Sequence, residues 1–324
     1  MCDEMKFFHS MLLCIFLLFF PRMIYAAAVQ VPEYNIQGRQ GFHFSRLLQL
    51  NGAKVCQRGK EVNFTSRYFN GKVTKDDRTC VINGVRVTLN FPVAFAGGAP
   101  YITGFDWHKT FRPLFFPGTL KKHSVYTITI DMGHGGSDPG ALGSFSREKN
   151  ITLAVGRRLG QVLKSYGFKV RFVRNADIKI PLEKIGSIQR RHKSDLFVSV
   201  HVNSARDRSV SGIETFCLTP AFAPSSNSNQ NQRTVKPGNS FDENNLALAY
   251  NIQKQTLLRT GAVDRGVKRA NFVILRELSA PGVLVEVGFI SNRLEEKRLN
   301  NSIYIDALAR GIAEGIINYR KSIK

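Results

Sequence analysis

Two histidines and two glutamates hold most of the chemistry open to this sequence. His134 follows an apolar, β-branched run, Thr127-Ile128-Thr129-Ile130, and sits in a glycine-rich turn, Gly133-His134-Gly135-Gly136. His201 closes a second apolar run, Leu196-Phe197-Val198-Ser199-Val200, and Glu148 stands just ahead of a stretch with helical periodicity. Imidazole nitrogen and carboxylate oxygen are the donors that Zn2+ accepts in catalytic sites, where three protein ligands leave a fourth position for water. There is no His-Glu-x-x-His helix, so the fold would have to gather His134, Glu148 and His201 from separate elements. Each residue alone also has a structural reading. A carboxylate at a helix start is favoured by the helix dipole, and a histidine after a strand is commonly structural.

Glu286 is the fourth. It interrupts Val283-Leu284-Val285-Glu286-Val287, introduced by Pro281-Gly282. A carboxylate in the middle of a buried strand is costly unless it is paired or used. Two readings stand: a salt bridge to one of the many arginines, or a general base whose pKa is raised by burial.

The surrounding elements must deliver these groups to one place. A strand that ends in a glycine-rich turn leaves its last side chains at the carboxyl edge, where open α/β sheets carry their sites. Pattern and turn signals predict strands over 126–131, 169–174, 195–201, 212–218, 272–275 and 283–287. Helices are predicted over 151–166, 182–191, 243–260, 294–299 and 304–319. Residues 223–240 are rich in Ser, Asn, Gln and Pro and read as an exposed loop. The alternation predicts an α/β fold, a mostly parallel sheet flanked by helices on both faces.

Residues 29–122 have another texture and predict a small, mainly β accessory module ahead of a catalytic domain over 123–324. Thr79-Cys80-Val81-Ile82-Asn83-Gly84-Val85-Arg86-Val87-Thr88-Leu89 reads as two alternating runs about an Asn-Gly turn, a strong hairpin signal. Its course through Pro100-Tyr101-Ile102 resembles the copper-amine-oxidase N-terminal-like module that accompanies some cell-wall enzymes. A wall-binding role and a purely structural one are both open. Residues 1–28 have the layout of a secretory signal peptide: a short head, an apolar run over 7–20, and Ala26-Ala27-Ala28 as a cleavage site. The apolar run falls short of the roughly 20 residues a membrane span needs. Beyond the leader, Cys56, Cys80 and Cys217 remain. Cys56 and Cys80 are near enough in sequence to pair, and Cys217 lies in an apolar run as a small buried hydrophobe.

The 324-residue chain has 46 Lys+Arg against 24 Asp+Glu, a formal net charge of +22. Such a surface attracts anionic polymers. No zinc-finger spacing or aromatic RNA-binding signature is present, so nucleic acid is not expected and an anionic envelope surface is the better partner.

The run from Asp131 to Ala141, Asp-x-Gly-His-Gly-Gly-x-Asp-Pro-Gly-Ala, resembles the zinc-dependent N-acetylmuramoyl-L-alanine amidases of the cell-separation and sporulation type. The likeness continues in Arg147-Glu148-Lys149-Asn150, in 195–203, in Asp264-Arg265-Gly266-Val267-Lys268-Arg269-Ala270-Asn271-Phe272 and in 283–292, so it covers about 126–319. The resemblance implies His134, Glu148 and His201 as zinc ligands and Glu286 as the catalytic glutamate. It also implies zinc-assisted hydrolysis of the bond between N-acetylmuramic acid and L-alanine of peptidoglycan, in the periplasm or outside the cell. A different peptidoglycan zinc peptidase and a non-catalytic wall-binding relative are the alternatives. Some members carry a helix that covers the zinc until a partner protein removes it. Residues 223–240 are too short and Pro-broken for such a helix, which implies an open site, with an envelope activator as a further partner to consider.

Overall fold

The computed structural model describes residues 33–226 and 232–323; the leader expected over 1–28 lies outside the described residues. Nine short strands come first: β1 (Glu33–Ile36), β2 (Arg39–His43), β3 (Lys54–Arg58), β4 (Glu61–Thr65), β5 (Asn70–Thr74), β6 (Thr79–Ile82), β7 (Val85–Thr88), β8 (Ala94–Ala96) and β9 (Ala99–Thr103). Helix α1 (Phe44–Leu50) follows β2, and the short α2 (Gly104–Asp106) and α3 (Arg112–Phe115) follow β9. Strands and helices then alternate: β10 (Thr127–Met132), α4 (Glu148–Ser165), β11 (Lys169–Phe172), α5 (Leu182–His192), β12 (Leu196–Asn203) and β13 (Ile213–Leu218). The chain ends with α6 (Asp242–Thr260), β14 (Asp264–Ala270), α7 (Val273–Arg276), β15 (Gly282–Phe289), α8 (Arg293–Leu299) and α9 (Ser302–Ser322).

Eleven strands form one sheet in the order β11-β10-β12-β15-β13-β14-β7-β6-β5-β4-β3. The pairs among β11, β10, β12 and β15 are parallel; β13 runs against β15 and parallel to β14. The sheet is thus mixed, with a parallel portion where the expected site residues lie. The Asn83-Gly84 turn forms as expected, with both residues at positive φ, and joins β6 to β7.

Strand β7 then pairs in parallel with β14 through Val87 and Val267, so the accessory strands continue the catalytic sheet. Tyr250 Oη donates to the Ile82 carbonyl, and Lys109 forms an ion pair with Glu243 at 2.8 Å. One core cluster runs from Phe44 and Phe64 through Val198 and Val285 to Ile316 and Tyr319. The sheet and the core thus run across the boundary expected near 122. A second four-stranded antiparallel sheet, β1-β2-β9-β8, stands apart from the first.

Alternation along each strand separates the two faces. Val198, Val200, Val283 and Val285 belong to the large cluster that α4, α6 and α9 complete. Phe197, Leu284, Phe216 and Leu218 belong to a smaller one with Ile185 of α5 and Ile274 of α7. Ser199, His201 and Glu286 share the parity of that smaller cluster. They lie beyond it, toward the carboxyl ends of β12 and β15.

Three sequence-based expectations need correction. The strand expected over 272–275 is the helix α7, and the strand is Asp264–Ala270 instead. Four charges in seven residues concealed β14; they are tolerated because Asp264 accepts from Arg86 N and Gln253, Lys268 and Arg265 reach Glu214, and Arg269 donates to the Lys109 carbonyl. The described part of 223–240 is not a uniformly exposed loop: Ala223, Ser225 and Gln232 are buried, and Asn239 bridges Gln232 and the Thr219 carbonyl. Cys56 and Cys80 do not pair. They lie on β3 and β6, which β4 and β5 separate, and Cys56, Cys80 and Cys217 are all free thiols. Cys217 is fully buried, as expected.

Candidate metal centre and active site

Strand β10 ends at Met132, and the chain turns through Gly133 to His134, whose φ is 65°. That left-handed conformation is rare for a residue with a side chain and aims the imidazole back across the sheet edge. His134 Nδ1 lies 3.0 Å from Asp138 Oδ2, which leaves Nε2 facing Glu148 Oε2 at 3.2 Å. A carboxylate on the far nitrogen fixes ring orientation and tautomer, the usual support of a metal-binding histidine.

Glu148 is the first residue of α4, three positions ahead of the expected helix start, so its carboxylate lies where the helix dipole favours a negative charge. Both oxygens are held. Oε2 accepts from Ala141 N at 2.8 Å, and Oε1 accepts from Val202 N at 2.9 Å while lying 3.0 Å from His201 Nδ1. Burial works to raise this carboxyl's pKa, but the hydrogen bonds from His134, His201 and the Ala141 N–H outweigh it and hold the group well below the usual range.

His201 lies near the end of β12, directly opposite Glu286 of β15 in the parallel register. The two imidazoles meet edge to face with centroids 5.1 Å apart. Ionised Glu148, through its hydrogen bond, raises His134 to about 9. For His201, burial opposes protonation, yet Glu148, Glu286 and Asp131 together raise it. The structure thus brings together one donor atom from each of His134, Glu148 and His201, all within 4.8 Å of one another. Two glycines make room for this arrangement. A Cβ on Gly133 would stand 2.3 Å from His201 Cε1, and one on Gly140 would stand 2.6 Å from Glu148 Oε2.

Glu286 borders this cluster. Its Oε2 is buried and has no hydrogen-bond partner. Burial pushes the carboxyl up to about 8, and the neighbouring Glu148 and Glu214 add to the rise while His201 opposes it. Of the two sequence readings, the arginine salt bridge is excluded, because no ion pair to Glu286 occurs among the described residues. A cleft of about 240 Å³ opens beside His134 and His201, walled by Lys179, Ile180, Leu182 and Ile185. His134 and His201 keep 25% and 17% of their side-chain surface exposed, so the donors are reachable from solvent.

Residues 128–318 match the N-acetylmuramoyl-L-alanine amidase family. The chain belongs to this family. The amidase AmiA of Escherichia coli (strain K12) is 30% identical over 228 residues, which span 63% of this chain and 79% of that relative. Among solved structures, the catalytic domain of the amidase CwlV from Bacillus (Paenibacillus) polymyxa var. colistinus is 30% identical with a TM-score of 0.52; the match covers 61% of this chain and 99% of that one. The CwlD amidase of Clostridioides difficile, in complex with the GerS lipoprotein, is 26% identical with a TM-score of 0.52, covering 60% and 98%. This chain is accordingly a peptidoglycan amidase in its carboxyl two-thirds.

Several groups around the amidase centre escaped the sequence reading. Asp138 had a signal, four residues after His134 in the same glycine-rich turn. Asp131 and Ser199 hydrogen-bond at 2.7 Å beneath His201, and Glu296 accepts from the backbone N–H of Ser144, Phe145 and Ser146 ahead of Glu148. Glu296 comes from α8, about 150 residues away, and no local pattern points to it.

Proposed function

We propose that this amidase hydrolyses the bond between the lactyl carbonyl of N-acetylmuramic acid and L-alanine, with Zn2+ held by His134, Glu148 and His201 and with Glu286 as general base. The convergence of three donor atoms within 4.8 Å, beside Glu286 with its buried, unpartnered Oε2, supports the reading. Two imidazoles and one carboxylate match the donor set of open catalytic zinc sites. The glycines that admit His201 and Glu148 also fit it, since a Cβ would fill the space those ligands need. When bound, the ion supplies a Lewis acid that polarises the scissile carbonyl and acidifies water.

The chain's own residues do the rest. Asp138 keeps the His134 ring turned so that Nε2 is the free donor. The backbone N–H groups of Ala141 and Val202 orient the two Glu148 oxygens. Glu286 receives the proton of the attacking water on its carboxylate and returns it to the leaving amine. Such proton transfer contributes roughly 10²–10⁴-fold in rate. The cleft beside His134 and His201 leaves both imidazoles reachable from solvent.

The site of action we propose is the envelope outside the inner membrane, periplasmic or extracellular; the net charge of +22 suits an anionic polymer there. A protein activator of the envelope is the further partner, in analogy with CwlD, whose structure was solved in complex with the GerS lipoprotein. Purified protein incubated with intact sacculi, with and without a chelator, tests the activity. Mass spectrometry should find intact peptides beginning with L-alanine, and only without chelator. Release of trimmed stem fragments instead would refute the bond assignment.

A further inference from the structure

The row of ionisable side chains continues past Glu286. Glu214 of β13 is buried and pairs with Glu286 in the antiparallel register, just as Glu286 pairs with His201. Directly opposed residues share a face of the sheet, so His201, Glu286 and Glu214 form a line across three neighbouring strands. Strand β14 ends the line with two cations. Lys268 Nζ and Arg265 Nε both donate to Glu214 Oε2, the arginine at 3.2 Å. The other oxygen of Glu214 accepts from Asn203 Nδ2 at 2.8 Å.

Two cations therefore share the Glu214 carboxylate, with Glu286 opposite it in the register and Glu295 within electrostatic reach of Arg265. Their charged heads lie over aromatic rings: Arg265 Cζ is 4.9 Å from the Phe289 centroid and Lys268 Nζ is 5.7 Å from that of Phe216. Their ends are not used up. The terminal guanidinium nitrogens of Arg265 donate to nothing among the described residues, and the two side chains keep 33% and 25% of their surface exposed. A second, partly open cation over a ring suits an anion that arrives with the substrate.

We propose that Lys268 and Arg265, positioned by Glu214, bind a carboxylate of the peptide that leaves from the scissile amide. The inference rests on the amidase reading above. Neighbouring strands lie about 4.8 Å apart, and both cations reach Glu214, one strand beyond Glu286. An extended peptide advances about 3.3 Å per residue. The matching carboxylate thus sits one or two residues past the attacked carbonyl. The first leaving residue is alanine, which has no acidic side chain, so the second residue is the one recognised.

Two synthetic muramyl peptides test this, identical except for a free carboxylate or a carboxamide on the second residue. Steady-state kcat and KM are measured for the metal-loaded full chain, for Lys268→Met, Arg265→Gln and Lys268→Arg. The wild type should favour the free acid by about tenfold or more in kcat/KM, chiefly through KM. Lys268→Met and Arg265→Gln should each shrink that ratio toward one, and Lys268→Arg should restore it. Because Arg265→Gln leaves Lys268 on Glu214, it keeps the buried acid neutralised even where Lys268→Met fails to fold. A wild type that does not distinguish the two peptides, or variants that lose rate equally on both with the ratio intact, overturn the proposal. A wild type that cleaves neither peptide overturns the amidase reading itself, and this one with it.

Discussion

Replacing Gly133 by alanine should disable the centre without touching any group that does chemistry. The added Cβ would stand 2.3, 2.5 and 2.7 Å from His201 Cε1, Nε2 and Nδ1. Ordinary contacts of this kind lie near 3.4 Å or beyond, so the ring must retreat by about 1 Å, whereas ligand distances in metal sites tolerate only about 0.2 Å. Gly133 cannot retreat instead. Its N–H donates to the Val200 carbonyl at 3.0 Å, and its carbonyl accepts from Thr152 Oγ1 at 2.8 Å and from Arg174. We expect metal affinity to fall at least about 100-fold, with overpacking costing about 1–3 kcal/mol of stability. Elemental analysis after dialysis against a weak chelator, a thermal melt and amide hydrolysis are measured on one preparation. Gly118→Ala, where nothing lies within 4 Å of the added carbon, is the control. A Gly133→Ala protein with a full complement of metal and wild-type turnover would refute the placement of His201 as a ligand.

Glu286→Gln should retain metal and lose roughly 10²–10⁴-fold in kcat; undiminished turnover would remove it from the mechanism. The base must be ionised, so kcat/KM should rise with pH and level off at or below about 8, the value set by burial, because a bound cation favours the carboxylate. His201→Ala should bind no stoichiometric metal, which elemental analysis checks directly. Glu296→Ala removes a buried carboxylate that three partly buried backbone N–H groups share and should cost about 1–3 kcal/mol, read by denaturant unfolding. Burial tends to raise the Glu296 pKa, but those N–H groups and Ser146 outweigh it and lower it from 4.5. Its stabilisation is therefore complete above about pH 4.5 and fades as pH falls through the lower folded value. Glu296→Gln should flatten that acid limb of the stability curve.

The sequence was legible where pattern and burial agree. Strands β10, β12 and β15 are mainly apolar or β-branched, and His134, His201 and Glu286 stand out against them. The glycine-rich turn and the helix-start glutamate could likewise be read from residue type and spacing. Strand β14 was hidden because its charges are satisfied by Glu214, Arg86 and Lys109, which are distant in sequence. Helix α7 was read as a strand because a four-residue apolar run carries no period that separates the two. The Cys56–Cys80 expectation failed because nearness along a chain that folds back strand by strand puts intervening strands between the two. The joining of two differently textured halves into one sheet rests on a single residue pair, Val87 and Val267, and no local pattern announces it.

That junction changes what the molecule exposes to other polypeptides. Without the hairpin of β6 and β7, β14 would present an open row of backbone donors and acceptors along the flank that carries Lys268. Any extended segment, including one from another copy, could add there and distort the register that sets Arg265 and Lys268. The five added strands move the open margin to β3, where Lys54 and Arg58 stand on the outermost strand and charge discourages such growth. The amino-terminal strands thus cover the β14 edge beside Lys268 and leave a charged strand as the margin of the sheet there.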